Sequence, residues 1–175
     1  MNVVLIGYRC SGKTEVGRAL AGEMARGFID TDELIEERTG TSIETIVAKE
    51  GWERFREIEK RLVEEVSKRD LLVVGTGGGV VVDGENIRNL KKNGWIIWLK
   101  AESEVIRERM EREERSGKFR PSLSGTSPQE EIQNVLRVRA PLYRQAGDFT
   151  VDTGMLSVRE AADRILNALP DGLQR

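Results

Sequence analysis

Eight residues near the start of the chain, Gly7-Tyr8-Arg9-Cys10-Ser11-Gly12-Lys13-Thr14, fill the pattern G-x-x-x-x-G-K-(S/T) at every fixed position. A short apolar run precedes them and a helical pattern follows, which is the setting a phosphate-cradling loop requires. In such a loop the N–H groups of residues 9–14 turn inward onto phosphate oxygens. Arg9, Cys10, Ser11 and Gly12 then act through their backbone, Gly7 opens the turn, and the dipole of the following helix adds to the field. Lys13 reaches the β- and γ-phosphates of a bound nucleotide, and Thr14 sets its hydroxyl on Mg²⁺. The bland alternative is an ordinary glycine turn between a strand and a helix. Cys10 is either a small filler or a thiol made reactive by the helix N-terminus.

A second group of chemical residues lies in Phe28-Ile29-Asp30-Thr31-Asp32. The apolar run Leu71-Leu72-Val73-Val74 ends in Gly75-Thr76-Gly77-Gly78-Gly79 with no acid, so a carboxylate on the metal side must come from elsewhere. In a parallel sheet, ligands bind beyond the carboxyl ends of the strands, and Asp30 and Asp32 would share that edge with the phosphate loop. One can serve the Mg²⁺ shell through water; the other can meet an acceptor hydroxyl. Against this stands a purely structural use, in which Asp30 or Thr31 caps the helix that starts near Asp32. The glycine run itself begins a dinucleotide fingerprint but places Val80 at its last glycine. The Asp-x-x-Gly and Asn-Lys-x-Asp strings of nucleotide switches do not occur.

These residues need a frame. Five short, continuous apolar runs read as strands covered on both faces: residues 3–6, 28–29, 71–74, 95–99 and 149–151. Helical patterns lie between them, with Val16, Leu20 and Met24 at steps of four over 13–25, and Phe55, Ile58, Leu62 and Val66 on one stripe over 52–68. Capping boxes at Thr41/Glu44, Ser127/Glu130 and Ser157/Glu160 mark helix starts. Trp52, Trp95 and Trp98 read as core or edge packing rather than as a stacking surface for adenine. The alternation of strand and helix makes the class α/β with a mostly parallel sheet. Residues 116–127 are glycine-rich, polar and aperiodic, as a mobile lid over a site would be; Arg120 sits within them. Residues 170–175 have the composition of a tail without order.

Composition narrows the chemistry. The chain has 175 residues, 28 basic and 30 acidic, and a net charge of -2, which disfavours a nucleic-acid binder. It has no histidine, so triads, histidine acid–base chemistry and zincin sites are excluded. One cysteine excludes a disulfide framework. No apolar run approaches a membrane span, and the first residues lack the basic leader of a signal peptide. A cytoplasmic protein with no membrane partner is the expectation.

From residue 2 to about residue 169 the sequence resembles the shikimate kinases. The resemblance rests on the phosphate loop, Phe28-Ile29-Asp30-Thr31-Asp32, Phe55-Arg56-x-x-Glu59, Gly77-Gly78-Gly79, Arg120-Pro121 and Arg139-Ala140-Pro141-Leu142-Tyr143, in that family's order and approximate spacing. It implies that Asp32 binds the shikimate hydroxyls and acts as base for the attacking one. Asp30 would hold Mg²⁺ through water. Arg56 and Arg139 would grip the shikimate carboxylate, Gly77, Gly78 and Gly79 would lie beside its ring, and Arg120 would reach the transferring phosphoryl group. Arg109 matches, more loosely, an arginine near adenine. Forked guanidinium groups suit a carboxylate. Glycine lets backbone approach a ring where a Cβ would collide. Pro141 inside a helical pattern could bend it and aim Arg139 inward. Arg56, with Glu53, Glu59 and Lys60 at helical spacing, could equally be a surface ion pair. The sequence departs from the family where Cys10 replaces a common glycine, and in Ser122 after Arg120-Pro121.

The resemblance implies a P-loop kinase-like three-layer sandwich, with a five-stranded parallel sheet in the order 2-3-1-4-5 and a mobile lid at about 112–127. One kinase domain would occupy 1–169. The activity implied is ATP-dependent phosphorylation of the shikimate 3-hydroxyl by a monomer with Lys13, Asp32 and Arg120 as its catalytic groups. A kinase for gluconate or a nucleoside monophosphate, or a non-catalytic ATP-binding regulator on the same scaffold, would share the phosphate loop.

Overall fold

The alternation seen in the sequence is realised as a parallel sheet with helices on both faces. The computed structural model describes residues 1–115 and 127–173. The strands are β1 (Asn2–Ile6), β2 (Gly27–Asp30), β3 (Leu72–Gly75), β4 (Gly94–Lys100) and β5 (Phe149–Asp152), and their order is β2-β3-β1-β4-β5. The helices are α1 (Lys13–Glu23), α2 (Thr31–Thr39), α3 (Ile43–Ser67), α4 (Gly84–Lys92), α5 (Ser103–Arg115), α6 (Pro128–Ala146) and α7 (Val158–Ala168).

Alternate residues of β1 separate the two layers of core. Val4 and Ile6 face one side with Val74, Ile96 and Trp98, where α3, α4 and α6 supply Phe55, Val63, Leu90 and Tyr143. Val3 and Leu5 face the other with Val73, Ile97 and Leu99, covered by Val16 and Leu20 of α1 and Ile165 of α7. The central strands are buried on both faces, so they read as unbroken apolar runs. The edge strands β2 and β5 are only partly covered. Parallel register sets Asp30, the last residue of β2, opposite Gly75, the last residue of β3. The carboxyl ends of β1, β2 and β3 therefore open onto one edge of the sheet.

Two local expectations are corrected. The helix that begins α3 is capped by Ser42, whose hydroxyl accepts from Thr45 N at 3.2 Å, and not by Thr41. The segment 170–173 is packed rather than free: Leu173 is fully buried, and Arg26 donates to its carbonyl at 2.9 Å. Pro141 stands inside α6, which runs through it as one helix. At Gly51, by contrast, α3 is interrupted by φ 84°, ψ 169°, a left-handed conformation that glycine adopts without strain.

Candidate active site

The phosphate loop closes on itself through its lysine. Lys13 Nζ donates to the carbonyls of Gly7 at 2.9 Å and Tyr8 at 2.7 Å. Gly7 has φ 149°, and a Cβ on it would come within 2.4 Å of the Leu99 carbonyl oxygen, so only glycine fits here. Gly12 and Cys10 also have positive φ. Glycine absorbs this freely; Cys10, at φ 59°, is one of three non-glycine residues among those described to do so. Arg109 braces the loop from α5: its guanidinium donates to Cys10 O at 3.2 Å and to Thr153 O at 2.6 Å. Thr153 in turn donates to Ser11 O at 3.1 Å.

Asp30 takes the structural use weighed for it, and its second oxygen meets the phosphate loop. Its Oδ1 caps α2 by accepting from Asp32 N at 3.0 Å, while its Oδ2 accepts from the Thr14 hydroxyl at 2.8 Å. Thr14 and Asp30 thus present neighbouring oxygen donors beside the loop. Hard oxygen ligands of this kind, few in number, suit Mg²⁺, which keeps most of its shell for water and phosphate. Among the described residues no group of three or more His, Cys, Asp or Glu could enclose a metal ion.

Of the three consecutive glycines, Gly77 and Gly79 face side chains of the cleft and Gly78 faces the backbone of the phosphate loop. A Cβ on Gly77 would meet Asp32 Oδ1 at 2.7 Å and Glu59 Oε1 at 2.9 Å. The carbonyl of Gly78 accepts from Arg139 Nη1 at 3.1 Å and from the Tyr143 hydroxyl. A Cβ on Gly79 would fall 2.1 Å from Arg56 Nη2. Absence of side chains at Gly77 and Gly79 is therefore what admits Asp32 and Arg56, and at Gly78 it lets the turn lie against the loop while its carbonyl holds Arg139. All of them line one cleft of about 470 Å³, shared with Lys13, Thr14 and Asp30.

Arg56 is not a solvated surface ion pair. It donates to Glu59 at 2.6 Å, and the Glu59 side chain is 1% exposed. Its guanidinium also lies 5.0 Å from the Phe55 ring centre and 5.6 Å from that of Trp52. Burial pushes the Glu59 carboxyl above the usual carboxylate range, and the charge of Arg56 pulls it back. Because the folded pKa is raised, this group's contribution to stability is greatest at low pH and declines as pH climbs through the window between the unfolded and folded values. Burial likewise pushes the Tyr143 phenol upward, so it stays a donor to Gly78.

The sequence reading missed part of this. Trp98 and Trp95 stack on Tyr143 and Phe149 as packing residues, but Trp52 lines the cleft. Glu59 was visible as the end of Phe55-Arg56-x-x-Glu59 and as a possible helix-surface partner of Arg56, and nothing in its spacing showed that it is buried. Arg120 and most of the expected lid lie outside the described residues.

A phosphate loop, an acid beside its threonine, and two arginines with an aspartate around a glycine turn define a kinase of a small anionic molecule. The shikimate kinase family model matches residues 9–170. The shikimate kinase of Syntrophus aciditrophicus is 42% identical over 94% of this chain and 89% of its own length. That of Pelotomaculum thermopropionicum is 42% identical over 97% and 96%. Among solved structures, shikimate kinase from Acinetobacter baumannii in complex with shikimate superposes with a TM-score of 0.89 at 35% identity, covering 95% of this chain and 91% of that one. A gluconokinase from Sinorhizobium meliloti, at 19% identity and TM-score 0.54, shares the fold alone. The chain belongs to the shikimate kinase family. Among the described residues no helix is long and apolar enough to cross a membrane.

Proposed function

We propose that this chain transfers the γ-phosphoryl group of ATP to the 3-hydroxyl of shikimate, giving shikimate 3-phosphate and ADP for the biosynthesis of chorismate and the aromatic amino acids. The observation that carries this reading is the convergence of Asp32, Arg139 and Arg56 on the Gly77–Gly78–Gly79 turn, across one cleft from Lys13. Two guanidiniums on separate helices fix a carboxylate and so orient the ring that bears it. Asp32 then meets the hydroxyl at the other side and takes its proton. Phosphoryl transfer asks the protein mainly for alignment and charge stabilisation. The N–H groups of residues 9–14 and the Lys13 ammonium supply the charge on the phosphate side. Thr14 and Asp30 would hold Mg²⁺, which when bound neutralises the triphosphate. By family resemblance, Arg120 would reach the transferring group and Arg109 the nucleotide base. In the present geometry Arg109 is spent on the loop and Thr153, which makes it a brace as well. We further propose a monomer with one kinase domain over 1–169, working in the cytoplasm.

ADP release with shikimate, gluconate and a nucleoside monophosphate as acceptors tests the reading, with phosphorus NMR to locate the new ester. Turnover with shikimate alone is expected; turnover with gluconate or the nucleotide alone would overturn it. Arg139→Ala and Arg56→Ala should each weaken shikimate binding by about 1.5–3 kcal/mol, the range for a hydrogen bond to a charged partner. Calorimetry that found shikimate affinity unchanged would remove them from the carboxylate site. Gly79→Ala should keep the fold, because the atoms its Cβ meets are the far end of a flexible side chain. Arg56 must swing away, so KM for shikimate should rise about tenfold with KM for ATP constant.

A further inference from the structure

One buried ion pair near the cleft has no place in the chemistry above. Arg9, the third residue of the phosphate loop, donates to Glu131 on the first turn of α6 at 2.5 Å. The side chains are 12% and 1% exposed. Glu131 is flanked by Ile132, which is fully buried, and the Arg9 guanidinium lies 5.7 Å from the centre of the buried Tyr8 ring. Neither side chain belongs to the phosphate-loop pattern, which leaves position 9 open, and Glu131 belongs to none of the motifs singled out in the sequence.

Burying a charged pair is poor value as a source of stability, because desolvation cancels most of the attraction. What such a pair does supply is a fixed geometry between the elements it joins. Here one element is the phosphate loop. The other is the helix that carries Arg139, eight residues and about 12 Å further along its axis. That far end is also tied to the loop. Arg139 and Tyr143 both donate to the Gly78 carbonyl, and Gly78 lies against the loop so closely that a Cβ on it would sit 3.2 Å from Arg9 N. Helix α6 therefore meets residues 7–9 twice, through Glu131 at its start and through Gly78 near its end. The first contact is a direct ion pair to the loop; the second reaches the loop only through Gly78, whose backbone packs against it.

We propose that Arg9 and Glu131 are a positioning pair for phosphoryl transfer: their contact sets the phosphate loop against the helix bearing the carboxylate-binding Arg139, and so aligns donor and acceptor. This rests on the functional reading above. Misplacing reactants by about 1 Å can cost ~10²-fold in rate without abolishing binding. The pair predicts that pattern and no other.

The test is a double-mutant cycle in the full chain with Arg9→Met, Glu131→Gln and the double variant, reading kcat, KM for ATP, KM for shikimate and the melting temperature. The expected result is a fall in kcat of about tenfold or more in each single variant, with both KM values within about threefold. The double variant should be no slower than the worse single one. Three outcomes would overturn the proposal: kcat within twofold of the native value, losses that multiply in the double variant, or a loss confined to KM for ATP, which would make Arg9 a nucleotide ligand. A purely structural pair would lower the melting temperature and leave kcat per folded molecule unchanged, and that too overturns it. The native chain is assayed alongside. If it releases no ADP with shikimate, the functional reading has failed, which is a different result from slow variants of an active enzyme.

Discussion

Asp32→Asn should lower shikimate phosphorylation by ~10²–10⁴, the span that general-base groups contribute, while leaving nucleotide affinity within about twofold. The substitution changes little in shape. It leaves Asp32 N in place to donate to the Asp30 cap, so α2 should start where it does now. The phosphate loop does not depend on the Asp32 side chain, since its closure runs through Lys13 to the Gly7 and Tyr8 carbonyls. What is lost is an oxygen able to take a proton. The Asp32 carboxylate stands against Gly77, 2.7 Å from where a Cβ would be, and lines the cleft an acceptor would enter. An amide there can still accept a hydrogen bond, so shikimate should still bind. Single-turnover measurements with saturating shikimate and ATP would separate the two effects. Slow chemistry with retained binding supports the assignment; chemistry within tenfold of the native rate would reduce Asp32 to an orienting contact.

The strands were legible because the sheet buries its centre on both faces. Residues 3–6 and 95–99 can only be apolar, and they are. The phosphate loop was legible because its geometry tolerates so few residues: Gly7 has a carbonyl oxygen where a Cβ would be. Other features depend on tertiary partners and left no local trace. Asn86 and Asn89 of α4 are polar and yet buried. Ser42 took the capping role that the spacing offered to Thr41, because both candidates lie next to each other and only the backbone path decides between them. Leu173 is ordered by the groove it fills and by Arg26, which is remote in sequence. The site divides the same way. Lys13 and Thr14 announce themselves by motif. Arg56 and Arg139 have the composition of surface helices, and only resemblance separated them from exposed ion pairs. Glu131 is one acid among many, distinguished only by burial, and the motif that holds Glu59 does not show that it too is 1% exposed.

Lys13→Met should lower kcat by ~10²–10³, the loss measured when one preorganised donor to a developing charge is removed. Two roles for this residue make different predictions. In the structure Lys13 is nearly buried and binds the Gly7 and Tyr8 carbonyls, so it pins the loop in shape. Bound triphosphate would offer its ammonium a stronger, charged partner, and the same group would then stabilise the phosphoryl oxygens. If pinning were its whole contribution, methionine would weaken ATP binding and lower the melting temperature, but kcat at saturating ATP would recover. If it also carries charge in the transition state, kcat stays low however much ATP is supplied. Lys13→Arg sharpens the comparison. It preserves the charge, but a planar fork with five donors does not fit a slot built around two carbonyls 2.9 and 2.7 Å from one nitrogen. It should therefore lose rate as well. A fully active arginine variant would show that charge alone suffices at this position, and the geometric part of the argument would fall.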